Sequence, residues 1–293
     1  MSVWTAIAEH ISAETGRPFN ADKRRAIGGG CINSATLIQD GEQRFFVKLN
    51  DADSLPMFAA ERAGLEEIIA TGAIRAPRPL CHGSSDSQAY LVMEYIENGP
   101  PRADMALLGE QLAAMHRTQS AQYGWKIDNT IGATPQDNTC DDDWCRFWGE
   151  RRLAPQLELA TRNGYGGILW KRGERLLEKL PQLLDGHQPP PSLLHGDLWS
   201  GNYTFDVQGR PVIFDPAVYY GDREADLAMT ELFGGFSTDF YRAYESAWPL
   251  PEGYAMRKHL YNLYHILNHA NLFGGGYVDQ AANIIDRLLS ETG

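Results

Sequence analysis

The chain is poor in cysteine, with 4 in 293 residues, at Cys31, Cys81, Cys140 and Cys145, and no pair at metal-binding spacing. This excludes a disulfide framework and a structural zinc site and predicts reduced, cytosolic thiols. Long hydrophobic runs are missing as well. No stretch approaches the ~18 apolar residues of a membrane span, so no membrane partner is expected. Met1 to Gly16 has neither a basic flank nor a long apolar segment, which predicts a cytoplasmic protein without a secretory signal. Positive charge is the third shortage: 26 Lys and Arg stand against 38 Asp and Glu, for a formal net charge of -12 and a pI near 5.1. A nucleic-acid surface needs the opposite balance, so no nucleic-acid partner is expected. An acidic field favours cationic small molecules or amines instead.

What is present is enough apolar material for more than one core. At 293 residues and 43% hydrophobic content, two lobes are more natural than one. There is no internal repeat and no low-complexity tail. Trp4, Ile7, Ala8 and Ile11 recur at helical spacing before Gly16, predicting a packing helix. Gly28-Gly29-Gly30-Cys31 then separates the run Arg24 to Ile27 from the alternating run Ala35 to Ile38. Such a turn is an ordinary hairpin or a place where backbone amides approach a phosphate without side-chain obstruction. Asp40-Gly41 is a second hairpin signal, leading to Val47-Lys48-Leu49, where a lysine is set inside an apolar strand. Burying it requires an anion. Met57, Phe58, Glu61, Leu65, Ile68 and Ile69 form one stripe of the next helix, with Glu61 its only acid. A strong strand runs from Ala89 to Tyr95, and the turn-rich Glu97 to Pro101 marks the best boundary in the chain. It divides the chain into 1–97 and 98–293.

The informative stretch is Leu193 to Pro216, LLHGDLWSGNYTFDVQGRPVIFDP. Ser192 to Leu194 and Pro211 to Phe214 read as short buried strands, each followed by a polar residue carried to a sheet edge. Asp197, Asn202 and Asp215 thereby come into reach of one another. Two carboxylates and an amide carbonyl make an oxygen-rich site for Mg2+, which also retains water and substrate phosphates. That is the chemistry of phosphoryl transfer. Beyond it, helices are predicted over 144–161, 170–184, 239–248, 254–273 and 278–289. Asp222 and Glu224 are the more exposed acids near a helix start, suited either to an amine or sugar hydroxyls or to a solvated, dipole-matched helix end. Asp226 lies near the N-terminal side of the same helix. His265 and His269 stand four apart on a helix but lack a third zinc ligand, which leaves hydrogen bonding within the core or to a sugar.

These residues carry a resemblance. His195-Gly196-Asp197, Asn202 and Asp215-Pro216-Ala217 parallel the protein-kinase loop H-R-D-x-x-x-x-N and its D-F-G. The whole chain resembles the fructosamine-3-kinase (ketosamine-3-kinase) family. The resemblance is carried by GGGCINS at Gly28 to Ser34, VKLN at Val47 to Asn50, MFAAE at Met57 to Glu61 and MEYI at Met93 to Ile96. NTIGATPQ at Asn129 to Gln136, HGDLWSGN at His195 to Asn202, IFDPA at Ile213 to Ala217, GDREADLAM at Gly221 to Met229 and LNHANLFGGGY at Leu267 to Tyr277 complete it. It implies an α+β, protein-kinase-like two-lobe fold, with an antiparallel sheet and a helix in the N-lobe and a mainly helical C-lobe.

It also implies ATP between the lobes, phosphates under Gly28, Gly29 and Gly30 and against Lys48, which Glu61 positions, and adenine at Glu94, Tyr95 and Ile96. Asn202 and Asp215 hold Mg2+, and Asp197 accepts the proton of the attacking hydroxyl. The implied reaction is phosphorylation of the 3-hydroxyl of a ketosamine, free or on a glycated protein, in deglycation repair. The alternative is a kinase for another cationic substrate, an aminoglycoside or an amino alcohol. Trp199 either stacks on a sugar face or packs under the catalytic loop. Cys31 is either a small residue that fits its turn or an oxidisable thiol that gates ATP binding, which leaves a monomer or a Cys31-linked dimer.

Overall fold

A computed structural model describes residues 2–28, 32–99 and 104–292. The chain divides into two compact units, one formed by Met1–Asp104 with Tyr203–Pro216, the other by Met105–Asn202 with Ala217–Gly293.

The first unit is built on five antiparallel strands, β1 (Lys23–Ile27), β2 (Ser34–Asp40), β3 (Gln43–Asp51), β4 (Pro79–Ser85) and β5 (Gln88–Glu94), in the spatial order β1-β2-β3-β5-β4. Asp40-Gly41 turns β2 into β3, with Asp40 opposite Gln43. Helix α1 (Val3–Thr15) is capped by Ser2, whose hydroxyl oxygen accepts from Thr5 N at 3.3 Å. Its residues Val3, Ile7 and Ile11, one turn apart, join a core with Val47, Leu49 and Val92 of the sheet. Side chains alternate along a strand, so with Val47 and Leu49 committed to that core, Lys48 emerges on the opposite face. There it meets α2 (Leu55–Ala70), which carries Pro56 in its first turn and packs on β4 and β5.

A hairpin of the short strands Tyr203–Phe205 and Pro211–Ile213 completes this unit. Ile213 N donates to Arg75 O at 3.0 Å and Gly99 N to Phe205 O at 2.8 Å. The Arg75 guanidinium binds both Glu94, at the end of β5, and Asp206, in the hairpin. Asp206 is held near a pKa of about 2: burial alone would raise it, and hydrogen bonds from Arg210, Gln208 and Arg75 outweigh that. The hairpin is thus pinned by charge where it leads into Asp215.

The second unit is mainly helical: α3 (Met105–His116), α4 (Trp144–Trp148), α5 (Ala154–Ala160), α6 (Ile168–Leu183), α7 (Glu224–Leu232), α8 (Thr238–Ala247), α9 (Tyr254–Phe273) and α10 (Gly276–Ser290). Helix α9 is buried on all sides from Leu260 to Asn268, as befits a central element, and it packs on α5, α7 and α10. Where the sequence pattern predicts one helix over 144–161, a wider π-type turn at Gly149–Leu153 intervenes. A wide turn inserts a residue and rephases the faces that follow. Here it holds the buried Arg152, whose guanidinium lies 4.6 Å from the Phe147 ring and 4.2 Å from that of Tyr219. Among the described residues no helix is long and apolar enough to cross a membrane.

Candidate active site

In the first unit Lys48 is the centre. Its ammonium lies 2.6 Å from Glu61 Oε1 and 2.8 Å from Asp215 Oδ1. Burial by itself would lower the affinity of Lys48 for its proton, but the Asp215 and Glu61 carboxylates more than offset it, so the pKa is raised and the amine stays charged. Burial pushes the Glu61 carboxyl up, against the pull of Lys48 and with the help of the Asp215 charge. One ammonium shared by two carboxylates leaves the group one positive charge short. Asp215 adopts a left-handed backbone, φ 57°, which aspartate tolerates better than most residues. Its side chain is 44% exposed, and its second oxygen has no partner among the described residues. An exposed carboxylate oxygen beside a charge deficit fits a hard divalent cation.

In the second unit, the strand Ser192–Leu194 pairs antiparallel with Tyr219–Gly221 and delivers the HGD turn. Asp226, at the start of α7, accepts from His195 N at 2.7 Å and Gly196 N at 2.8 Å. Burial would raise the Asp226 pKa, but the bonds to it, His116 foremost, bring it below the usual carboxylate range. Gly196 has φ 82°, and a Cβ there would lie 2.1 Å from Ala217 O, so only glycine fits this turn. Asn202 Nδ2 donates to Asp197 O at 2.8 Å and to Asp197 Oδ2 at 3.2 Å. The amide thereby orients the Asp197 carboxylate and directs its own carbonyl oxygen elsewhere, as a metal ligand requires.

The NTIGATPQ motif supports the same turn from behind. Its two short strands, Asn129–Ile131 and Thr134–Gln136, pair with each other. Asn129 Nδ2 donates to Val218 O at 2.8 Å, and Gln136 Nε2 donates to Ala217 O at 3.2 Å. Tyr264 OH of α9 donates to Gln136 Oε1 at 2.7 Å. The chain after Asp215 is therefore fixed by side-chain amides.

Comparison with known proteins agrees with this chemistry. The family model described as fructosamine kinase matches residues 3–291. The chain belongs to the fructosamine kinase family. It is 52% identical over 288 residues to a protein named probable ketoamine kinase from Synechocystis, covering 98% of this chain and 97% of the relative. It is 44% identical over 287 residues to the chloroplastic protein-ribulosamine 3-kinase of Arabidopsis thaliana, covering 97% and 87% of the two chains. A crystal structure from Haemophilus somnus 129PT assigned to the fructosamine-3-kinases superposes with a TM-score of 0.91 at 30% identity, covering 98% of this chain and 97% of that one. Aminoglycoside phosphotransferase APH(4)-Ia shares the fold at a TM-score of 0.61 and 17% identity, over 97% of this chain and 98% of its own. This member of the family is a kinase with the α+β, kinase-like fold.

The remaining candidates separate. Gly28 follows β1 with open space around it, while Gly29, Gly30 and Cys31 lie outside the described residues. Glu94 uses its N–H on Arg78 O at 2.8 Å and its carboxylate on Arg75. Tyr95 lies under the Arg44 guanidinium at 5.5 Å, and Ile96 follows it directly. Trp199 is exposed and touches Phe233, which in turn meets His269.

The expected exposure of Asp222 and Glu224 is corrected: they are 1% and 0% exposed. Asp222 Oδ2 lies 2.6 Å from His187 Nε2 and accepts from Tyr261 OH at 2.5 Å. Glu224 accepts two bonds from Arg257, both at 2.7 Å. Helix α9 covers the start of α7, so these acids meet side-chain donors where the sequence reading put water. His187, Asp222 and Glu224 have potential ligand atoms within 4.8 Å of one another, but both Glu224 oxygens accept from Arg257 and Asp222 Oδ2 is engaged by Tyr261 and His187. Sequence reasoning missed Arg75 and His116 altogether. His116 Nε2 donates to Asp226 Oδ2 at 3.1 Å, and its Nδ1 lies 2.7 Å from the Tyr244 hydroxyl. The only signal was a histidine at the end of an apolar helix pattern.

Proposed function

We propose that the protein transfers the γ-phosphoryl group of ATP to the 3-hydroxyl of a ketosamine, the sugar adduct that glycation leaves on an amine. The observation that carries this reading is the Lys48 ammonium held between Glu61 and Asp215 in a chain that matches the fructosamine kinases from residue 3 to residue 291. Nucleotide binding falls to the first unit, and catalysis and substrate binding to the second. Lys48 engages the phosphates, beneath the backbone of Gly28, Gly29 and Gly30. The adenine edge falls to the backbone of Glu94, Tyr95 and Ile96; the Glu94 N–H is engaged by Arg78 O, so its part is as a carbonyl acceptor. Asp215 and Asn202 supply oxygen ligands for Mg2+, which when bound neutralises charge on the phosphate oxygens. Asp197, aimed by Asn202, orients the sugar hydroxyl and accepts its proton. Cys31, beside the phosphate-binding glycines, is a site where oxidation would gate nucleotide binding.

The product explains the use of the reaction. The 3-phosphate stands on the carbon next to the C2 ketone, so enolisation toward C1 gives an enaminol in which it is allylic. The nitrogen lone pair expels inorganic phosphate from C3, and water adding to the resulting C1 iminium releases the amine. The name of the Arabidopsis relative, protein-ribulosamine 3-kinase, supports a ketosamine acceptor, as a small molecule or on a glycated protein. The test is competition among ribulosamines, fructosamines, aminoglycosides and amino alcohols for phosphorylation by ATP, with the new phosphate located by NMR. Phosphate on the ketosamine 3-oxygen followed by amine release is the expected result. Preferred transfer to an aminoglycoside or amino-alcohol hydroxyl, or no consumption of ATP, overturns it.

A further inference from the structure

Arg75 stands between the two parts of the first unit to which the nucleotide and its metal are assigned. One arm of its guanidinium, Nη2, binds Glu94, and the other, Nη1, binds Asp206. Glu94 opens segment 94–96, assigned above to the adenine edge. Asp206 belongs to the hairpin whose second strand, Pro211–Ile213, runs toward Asp215. The main chain of Arg75 holds the far end of that strand as well, since its carbonyl accepts from Ile213 N at 3.0 Å, two residues before Asp215. Beyond residue 96 the chain returns to the same hairpin: Gly99 N donates to Phe205 O at 2.8 Å, and Thr204 Oγ1 donates to Asn98 Oδ1 at 3.1 Å.

Neither acid needs Arg75 for its own sake. Asp206 is buried, but its Oδ1 accepts from Gln208 N at 2.9 Å and Arg210 N at 3.0 Å, and its Oδ2 from Arg210 Nε at 2.8 Å. The hairpin thus shapes its own turn and answers its own charge. Glu94 is partly exposed and accepts from Arg78 N at 3.3 Å. What only Arg75 supplies is the span between the two carboxylates. A guanidinium is a planar fork whose donors keep a fixed separation, unlike the single flexible charge of a lysine. Holding Glu94 in place therefore holds Asp206 in place, and with it the strand that leads to Asp215.

We propose that Arg75 is a positioning residue that couples the adenine subsite to the metal subsite, so that the base and the divalent cation each bind more tightly when the other is present, even with no phosphate to join them. The inference rests on the nucleotide and metal assignments made above. A base bound along segment 94–96 restrains Glu94, and the fork passes that restraint to the hairpin. The ion then meets an Asp215 carboxylate with less freedom left to lose. Such coupling is reciprocal, so either ligand reports it.

Adenosine is the probe, because it lacks the phosphates through which Mg2+ would otherwise reach it. Its Kd is measured by calorimetry with and without saturating Mg2+ at matched ionic strength. In wild type the ion is expected to tighten adenosine binding about fivefold or more, the lower end of ordinary coupling between sites. Asp215→Ala is expected to abolish the effect. Arg75→Met keeps much of the stem and loses the fork, and its two Kd values are expected to be equal. Arg75→Lys separates positioning from charge and carries the test should Arg75→Met fail to fold. It returns a cation to Asp206, so a role in neutralisation alone predicts a wild-type Mg2+ effect, whereas positioning predicts that the effect stays lost. No Mg2+ effect in wild type, or a full effect in Asp215→Ala or in either Arg75 variant, overturns the coupling and leaves the proposed function standing as long as a ketosamine is phosphorylated. Wild type that binds no adenosine overturns the adenine assignment and the coupling with it. Wild type that shows the effect but phosphorylates no ketosamine keeps the coupling and overturns the proposed function.

Discussion

Asp197, the proton acceptor proposed above, is placed by two neighbours, Asn202 and Gly196. Asn202 Nδ2 donates to both its backbone and its carboxylate, and Gly196 permits the turn that presents it. Asp197→Asn keeps an oxygen for Asn202 to bond, so the loop stays in place while the proton acceptor is lost. Turnover is expected to fall roughly 10²- to 10⁴-fold, the usual worth of general-base help, with ATP affinity unchanged in a binding titration. An unaltered kcat would remove Asp197 from the chemistry. Gly196→Ala acts on geometry alone. With φ 82° and Ala217 O only 2.1 Å from the new Cβ, the turn must shift, and misplacement of a reacting group by about 1 Å costs on the order of 10²-fold in rate. The loss should appear in kcat and be accompanied by a lower Tm; a variant with wild-type values of both would mean the loop tolerates another path.

At the scale of elements, helices α3, α7 and α8 hold the catalytic loop through Asp226, His116 and Tyr244, and this linkage has a pH signature. The Asp226 pKa is lowered in the folded protein, against burial, by its bonds to His116, His195 and Gly196. Its contribution is fully present above the unfolded carboxylate value of about 3.9 and is lost as pH falls through the lower folded value. His265 of α9 works in another window. Burial lowers its pKa to about 3, whereas the unfolded chain takes up the proton near about 6.5, so stability declines as pH drops below that value. Urea midpoints measured from pH 8 to pH 3 should show both effects. His265→Gln should flatten the slope between about pH 6.5 and 4, and Asp226→Asn the slope below about pH 4; slopes identical to wild type would sink the assignment.

The same elements show what sequence reading could reach. Glu61 was legible because a 3.6-residue stripe singled it out, and Asp197 and Asn202 because five positions of one loop join them. His116 and Asp226 are 110 positions apart, and Arg75 and Asp206 are 131 apart, so no local pattern links them. Asp222 and Glu224 were misread for the same reason. Their exposure is decided by Tyr261 and Arg257, 39 and 33 positions later, and a helix start looks identical in sequence whether water or another helix covers it.

The whole molecule adds a field. A formal charge of -12 over 293 residues attracts an aminated sugar and repels the nucleotide, and these two substrates must meet on one protein. On the function proposed above, the repulsion is answered locally by Lys48, which two carboxylates keep protonated, and by the divalent cation that Asp215 would hold. The attraction is long-ranged and therefore sensitive to salt, since the screening length falls from about 30 Å at 0.01 M to about 10 Å at 0.1 M. Raising ionic strength across that range is expected to increase the KM for a ketosamine by a few-fold, up to roughly tenfold, and to lower the KM for MgATP. Opposite signs for the two substrates distinguish the field from a general effect of salt on folding or on kcat. Steady-state kinetics at fixed pH and fixed free Mg2+ provide the measurement. Parallel changes in both constants would show that the acidic surface serves solubility and takes no part in gathering the amine.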